Sequence, residues 1–254
     1  TNELMKKIFL LIIGSLFISC SNETITFSTQ TWEQKSSLPC EEVCTQVKIK
    51  VPFANNDSEV SDSINQHILN TVKEVVYFGE NPNKSVTYSE ITQSFIGAYE
   101  DMKKQFPTET IGWKAIIEGK NTYQNEALIA IQIGYYNYTG GAHGYNGMKS
   151  ILVNKDDGTL HTPKTLFKDL PKFKKFAEKA FRKQFKIKDH YTINATGLMF
   201  NEDKFELPNT LIFNEKGLIL YYNTYEISSY ANGPKQLFLP YQEISDYLTF
   251  KPTF

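Results

Sequence analysis

The feature that most constrains the fold is a stretch of alternating residues near the middle of the chain. Between residues 127 and 138, large apolar side chains take every second position, and more varied side chains take the others. The first set is Ile129, Ile131, Ile133 and Tyr135, and the second is Ala130, Gln132, Gly134 and Tyr136. Neighbouring side chains of a strand point to opposite faces, so the pattern predicts a strand with one buried and one mixed face. Sheets that are covered by helices on one side contain such strands.

Two segments of similar composition flank this stretch. Residues 113–118 and 149–154 are rich in Ile, Val and other strand-forming residues. Residues typical of turns separate the three segments, at 121–125 and 140–147, and a further turn follows at 156–158. Consecutive strands joined by such turns predict an antiparallel meander.

Three other stretches have apolar residues at helical spacing. They cover residues 60–76, 91–106 and 173–185. The first helix should stop near Gly79, and Thr87 with Glu90 forms a capping-box pattern at the start of the second. Pro171 is expected to open the third helix, because proline is well tolerated in a first helical turn.

Short β segments complete the pattern. One is expected at residues 45–51, ended by Pro52, and others lie near 211–213, 218–221 and 236–240, with a hairpin turn at 214–217. Together the elements predict an α+β fold, with an antiparallel sheet meander, helices packed on one face and two tandem subdomains. A boundary is expected between Phe106 and Ile111, although one sheet could be shared across it.

The N-terminus has the pattern of an export signal. Lys6 and Lys7 precede an apolar stretch at residues 8–18, which is shorter than the roughly 20 residues that a membrane-spanning helix needs. The segment ending at Cys20 resembles a bacterial lipobox, which implies a signal peptide at 1–19, cleavage before Cys20 and a lipid on its sulfur. Residues 20–30 would then form a polar tether. The alternative is a buried N-terminal strand with an incidental cysteine.

The other two cysteines, Cys40 and Cys44, are four positions apart. That spacing favours a local disulfide in an oxidising compartment, while a metal pair or two free thiols are the alternatives. A zinc site would need two more ligands, and the four histidines are scattered singly along the sequence. We therefore expect no metal site.

Charge and motifs exclude several classes of function. The net charge of -1 and the pI of about 6.4 argue against a dedicated nucleic-acid-binding protein. The third helix is strongly basic, which indicates either a solvated face or attraction to anionic polymers and lipid headgroups of the envelope. The sequence has no nucleotide-binding, serine-hydrolase or zinc-protease motif, so no cofactor is expected.

The segment Tyr138-Thr139-Gly140-Gly141-Ala142-His143-Gly144, which follows a tyrosine-rich strand, resembles the signature of the PdaC/RsiV-like extracytoplasmic family. Later segments match the same family in order: 157–160, 166–167, 211–218, 225–233 and 239–241. The resemblance implies a PdaC-type N-terminal α+β domain at 31–110 and an RsiV-like C-terminal α+β domain at 111–254. Both are domains of unknown function.

The resemblance implies a restricted set of activities. One named member is a peptidoglycan deacetylase, but its catalysis belongs to a separate domain whose Asp-Asp pair and His-x3-His metal site do not occur here. Another is an anti-sigma factor whose outer part senses a cell-wall hydrolase. What they share is an outer domain that binds something at the cell envelope. The expected location is therefore a bacterial membrane, with the domain facing away from the cytoplasm.

The candidate ligand-binding residues lie in the glycine-rich loop and in a later tyrosine-rich loop. They are Tyr136, Tyr138, Gly140, Gly141, His143, Gly144, Tyr225 and Glu226. The first hypothesis is a non-catalytic lipoprotein that binds a lysozyme-like hydrolase or a peptidoglycan fragment. The alternative is an enzyme acting on envelope saccharide, with His143 as acid or base beside Glu226 or a carboxylate whose position the sequence does not give. A third interpretation is a plain hairpin, in which the glycines supply positive φ angles.

Overall fold

A computed structural model describes residues 24–40, 43–76, 84–108 and 111–253. In those residues the strands are β1 (Phe27–Lys35), β2 (Gln46–Ala54), β3 (Lys114–Gln124), β4 (Leu128–Tyr138), β5 (Tyr145–Asn154), β6 (Thr210–Asn214), β7 (Gly217–Tyr222) and β8 (Lys235–Pro240). The helices are α1 (Glu59–Val75), α2 (Tyr88–Gln105), α3 (Pro163–Leu166), α4 (Leu170–Gln184) and α5 (Tyr241–Ile244). The α+β class predicted from the sequence is confirmed.

The larger sheet has five strands in the order β1-β2-β3-β4-β5. Strands β3, β4 and β5 pair antiparallel, as the meander pattern predicts, with Ile131 of β4 opposite Ile151 of β5. Strands β2 and β3 pair in parallel, from Gln46 beside Lys114 to Lys50 beside Glu118. Parallel neighbours need a long crossover, and α1 and α2 supply it.

This parallel pair joins the two halves of the sequence into one sheet. Strand β2 lies before the expected subdomain boundary at residues 110 and 111, and β3 lies after it. The sheet is thus shared across the boundary. Residues 27–30, which the sequence analysis assigned to the tether, form the first part of β1. Apart from Phe27, which packs against the core, their polar side chains suit an edge strand, because one of its faces and one of its edges meet water.

Helices α1 and α2 cover one face of the five-stranded sheet. Their buried side chains form one core with alternate residues of the strands; these are Ile64, Ile68, Val72, Ile91 and Phe95 on the helices, and Val47, Ile49, Ile117, Ile129, Ile131 and Ile133 on the sheet. Side-chain oxygens cap both helices, since Ser58 accepts from Ser61 N and Thr87 accepts from Glu90 N. The first helix ends at Val75, short of the predicted stop near Gly79, which lies outside the described residues.

A second core lies on the opposite face of the central strands. There the three-stranded antiparallel sheet β6-β7-β8 and helix α4 pack against Leu128, Ala130 and Leu152. The start of β4 is therefore buried on both faces, whereas the alternating pattern predicted one mixed face. The difference arises because β6 crosses β4 and β5, which alternation within one strand cannot reveal.

The N-terminal predictions are tested only in part. Cys40 and Cys44 form a disulfide, with their Cα atoms 5.2 Å apart, as the spacing favoured. The signal peptide and Cys20 lie outside the described residues. No helix in the described ranges is both long and apolar enough to cross a membrane.

Candidate functional site

The turn between β4 and β5 carries the glycine-rich motif. Gly140 and Gly141 have φ angles of +102° and +90°, which side chains with a Cβ atom rarely adopt. The hydroxyl of Tyr138 donates to the carbonyl oxygen of Gly141 at 2.9 Å and so closes the turn. The two glycines therefore serve the hairpin geometry, as the third interpretation expected, and they present the residues that follow.

His143 is exposed but held in place. Its Nδ1 lies 3.0 Å from the carbonyl oxygen of Gly144, which can only accept, so Nδ1 is the donor of this hydrogen bond. The imidazole stacks on Tyr230, with ring centroids 3.7 Å apart. Tyr230 also donates its hydroxyl to the same Gly144 oxygen, at 2.9 Å. The two rings are therefore fixed to the hairpin and to each other.

This pair is the end of a continuous series of ring contacts. We call Tyr135, Tyr145, Tyr225, Tyr230 and His143 the aromatic cluster. Successive centroid distances are 6.0 Å between Tyr135 and Tyr145, 6.5 Å between Tyr145 and Tyr225, and 5.8 Å between Tyr225 and Tyr230. The first two tyrosines belong to the sheet, and the next two belong to the loop between β7 and β8. The cluster thus connects a rigid strand pair to an exposed loop.

The inner tyrosines are held in their neutral form. Burial is the main factor that raises the pKa of Tyr135 above its ordinary value, and burial also raises the pKa of Tyr145. A neutral phenol can donate, and the Tyr145 hydroxyl lies 3.2 Å from the carbonyl oxygen of Thr224. At neutral pH this side of the cluster therefore offers aromatic surface and hydroxyl dipoles rather than charge.

Gly147 of β5 and Gly144, directly before that strand, make room for tyrosine rings. A Cβ atom on Gly147 would collide with the ring of Tyr135, and one on Gly144 would collide with the ring of Tyr136. Tyr136 and Tyr135 also line a shallow depression of about 280 Å³, together with Tyr221. Gly144 and Tyr136 therefore act as a packed pair that supports the site.

The tyrosine-rich loop is tied to the free edge of β5 by Asn223. Its Oδ1 accepts from Met148 N at 2.7 Å, and its Nδ2 donates to Met148 O at 3.0 Å. A side-chain amide here makes the two hydrogen bonds that a neighbouring strand would make. The sequence did not predict this role for Asn223, since nothing in its local pattern shows that it would meet an edge strand about 75 residues earlier.

Glu226 lies in the same loop but uses both of its oxygens for the backbone. Oε1 accepts from Asn209 N at 2.9 Å, and Oε2 accepts from Asn223 N at 2.8 Å. The structure thus places Glu226 where it joins two chain segments and orients Asn223. The carboxylate of Glu226 therefore holds the loop in place.

Tyr225 combines exposure with backbone strain. It is 56% exposed, and its φ angle of +71° is unusual for a residue with a bulky side chain. The hydrogen bonds from Tyr225 N to Ser228 O and from Glu226 N to Asn223 O hold the loop in this conformation. Strained residues that the surroundings hold in place are concentrated at functional sites, which draws attention to this ring.

A larger cavity of about 640 Å³ lies elsewhere, lined by residues of β5, α3, α4 and β6. Its walls are mainly leucine and proline, and Lys174 and Glu206 form an ion pair of 2.5 Å beside it. The sequence analysis did not predict this cavity, because its lining comes from four separate segments. Across the described ranges, no three His, Cys, Asp or Glu side chains are grouped as a metal site requires.

Two family models match the sequence, one after the other. The model for "Deacetylase PdaC" matches residues 39–146, and the model for "Protein of unknown function (DUF3298)" matches residues 162–242. The first match includes β3 and β4, so it extends past residue 110 and follows the shared sheet. No curated protein matches the chain at a significant level.

Solved structures share the fold. A DUF3298 family member from Bacteroides fragilis NCTC 9343 aligns with a TM-score of 0.68 and 18% identity, covering 91% of this chain and 96% of that one. A DUF3298 family protein from Pseudomonas aeruginosa PAO1 aligns with a TM-score of 0.65 and 19% identity, covering 92% and 99%. Identities this low show the fold alone. Together, the two consecutive family matches support a family with a PdaC-type domain followed by a DUF3298 domain.

Proposed function

We propose that this protein is an extracytoplasmic binding protein that recognises a protein ligand of the cell envelope through its aromatic cluster. The observation that carries the proposal is the series of ring contacts fixed on a hairpin and on a braced loop. Rings held in place before binding lose little conformational entropy when a partner covers them. Tyrosine surfaces of this kind are well suited to protein recognition. A lysozyme-like cell-wall hydrolase is the ligand that the family resemblance favours.

The first test removes single rings from the cluster. His143→Ala or Tyr225→Ala should weaken binding to lysozyme by about 1–2 kcal/mol, the range of a typical interface anchor. Tyr191→Ala is the matched control, because Tyr191 is similarly exposed but its ring contact is to His190. Biolayer interferometry with residues 21–254 would measure the lysozyme affinities of the wild type and of the three variants.

The outcome separates the candidate ligands. Equal weakening by Tyr191→Ala, or no saturable binding to lysozyme by the wild type, would contradict the proposal of a lysozyme-like ligand. A parallel sedimentation assay with purified peptidoglycan would detect the other ligand of the first hypothesis. Binding there that His143→Ala weakens would keep the site but change its ligand to a glycan.

The contacts around His143 supply only part of what the enzyme hypothesis needs. The Gly144 carbonyl orients the ring through Nδ1, as a general base requires, but Glu226 is committed elsewhere. Both oxygens of Glu226 already accept backbone N–H groups. Wild-type turnover of muropeptides that His143→Ala abolishes would nevertheless replace binding with catalysis as the function.

The location is a second part of the proposal. Domains of the PdaC type occur in extracytoplasmic proteins, and we propose that a lipid on Cys20 anchors this one to a bacterial membrane. The basic residues before the apolar segment and the small Ser19 before Cys20 support it. Cys20→Ala should move the protein from the membrane pellet to the supernatant after fractionation. A variant that still sediments with membranes would show that something else anchors the chain.

A further inference from the structure

The cavity of about 640 Å³ has the size and lining of a small-molecule site. Ligand pockets typically measure about 300–1,000 Å³ and are mainly apolar, with a few polar groups that orient the ligand. Six leucines and three prolines line this cavity, with five polar or charged residues. Apolar walls favour an apolar occupant over water, because water there gains few hydrogen bonds.

Two of the polar side chains in the lining, Ser150 and His161, have hydrogen-bond contacts within the protein, and two others form one exchangeable pair. Ser150 Oγ accepts from Leu211 N at 3.1 Å, and the ring of His161 contacts Thr165 Oγ1 and the carbonyl oxygen of Ala127. Lys174 and Glu206 pair at 2.5 Å, with 33% and 61% of their side chains exposed. An exposed ion pair contributes little to stability, so a ligand carboxylate could replace Glu206 at a small cost.

The electrostatic surroundings favour an anionic head group. Among the described residues that line the cavity, Lys174 is the one lysine or arginine. It lies on α4, and residues 164–188 carry ten basic and two acidic residues in a chain whose net charge is only -1. Such a local excess attracts anions to this end of the cavity.

We propose that this cavity binds a single-chain anionic amphiphile, with its chain between β5 and α4 and its carboxylate at Lys174. The apolar walls would hold the hydrocarbon chain of the amphiphile. Lys174 would bind its carboxylate in place of Glu206. The site uses none of the rings of the aromatic cluster, so it is independent of the function proposed above. Its occupant has the chemistry of a fatty acid.

The probe is dodecanoate below its micelle concentration, titrated calorimetrically into residues 21–254, which include every described element. Lys174→Gln should weaken dodecanoate binding about tenfold, the loss expected for a hydrogen bond to a charged group. Glu206→Gln should strengthen binding by about threefold, because it removes a weak competitor for Lys174. A general loss of structure would weaken dodecanoate binding in both variants. It could not weaken binding in Lys174→Gln and strengthen it in Glu206→Gln.

Two further variants and one uncharged ligand complete the design. Leu160→Trp should weaken binding by narrowing the cavity, and Leu160 is half exposed, so the cores stay untouched. Lys183→Gln, an equal charge change two turns further along α4, should leave the affinity within about twofold. Dodecan-1-ol should bind more weakly than dodecanoate, with equal affinity for wild type and Lys174→Gln.

Three results would overturn the proposal. The first is the absence of saturable dodecanoate binding to the wild type. The second is binding that Leu160→Trp leaves unchanged, which would place the ligand elsewhere. The third is equal loss of affinity in Lys174→Gln and Lys183→Gln, which would reduce the effect to a general attraction of the basic helix. Circular dichroism of each variant would confirm that its fold is intact.

Discussion

Replacing Phe181 with Ala should lower the free energy of unfolding by about 3–5 kcal/mol, the usual cost of removing a fully buried phenylalanine. Phe181 is 0% exposed, and its ring contacts Phe200, Phe205 and Tyr222 at centroid distances of 5.5–5.6 Å. These rings connect α4 to the segment before β6 and to β7. The cavity left by alanine cannot close easily, because aromatic rings on several elements form its walls.

Urea denaturation followed by far-UV circular dichroism would measure this loss. Phe106→Ala is the control, since Phe106 is 60% exposed and its removal should cost about 0.5 kcal/mol or less. Because both cores pack on β4 and β5, we expect one cooperative transition that shifts as a whole. Two separate transitions, of which Phe181→Ala moves only one, would show that the halves unfold independently.

Replacing Asn223 with Ala should destabilise the fold by about 2–3 kcal/mol, because it removes the partner of a backbone donor on β5. Met148 N–H would lose its bond to Asn223 Oδ1, while Met148 O would keep the bond from Thr210 Oγ1. The loop that carries Tyr225 would also lose its attachment. Lysozyme binding should therefore weaken in step with stability.

Asn223→Asp distinguishes the two hydrogen bonds. Aspartate can still accept from Met148 N, but its second oxygen would face Met148 O where a donor is needed, so we expect a loss at least as large as for alanine. Chemical denaturation gives the stability, and near-UV circular dichroism reports the packing of the tyrosines. A loss clearly smaller than that of Asn223→Ala would show that the accepted bond, not the donated one, holds the loop.

Local patterns predicted much of the secondary structure. The Thr87–Glu90 pattern marks the start of α2, where Thr87 Oγ1 accepts from Glu90 N at 3.2 Å. The Glu90 carboxylate accepts from Val86 N. In a capping box it would accept instead from the N–H of the cap residue, Thr87. Asn214 closes the predicted hairpin by accepting from Lys216 N and Gly217 N. These signals succeed because their partners lie within four residues of one another.

Pro52 shows where a local rule gave the wrong boundary. It was expected to end its strand, yet β2 continues to Ala54. The pairing with β3 stops at Lys50, so Pro52 lies where β2 has only β1 as a described neighbour. A proline is tolerated on an edge, and only the pairing of distant strands makes that position an edge.

For the candidate site too, the sequence predicted the features that are local in the chain and not the contacts between distant residues. Sequence predicted the glycine turn, His143 and the tyrosines, because an aromatic-rich strand and a glycine-rich loop are visible in one short segment. It did not predict that His143 stacks on Tyr230, that Glu226 braces the backbone, or that Asn223 pairs with Met148. Each of these contacts joins residues of different elements or depends on how a loop folds back, and a single sequence carries no record of such distances.

The sequence by itself determined the three long helices, the meander, the local disulfide and the resemblance to a tandem-domain family, because each depends on spacing along the chain. Only the tertiary structure decided that β2 lies parallel to β3, that β4 is buried on both faces, and that the cavity beside α4 exists. Those features depend on which hydrophobic surfaces pack against each other. The hydrophobic effect alone does not specify the partner, because any apolar face of suitable shape can be buried against another. Geometry across the whole molecule selects among them, since side chains must interlock at close packing.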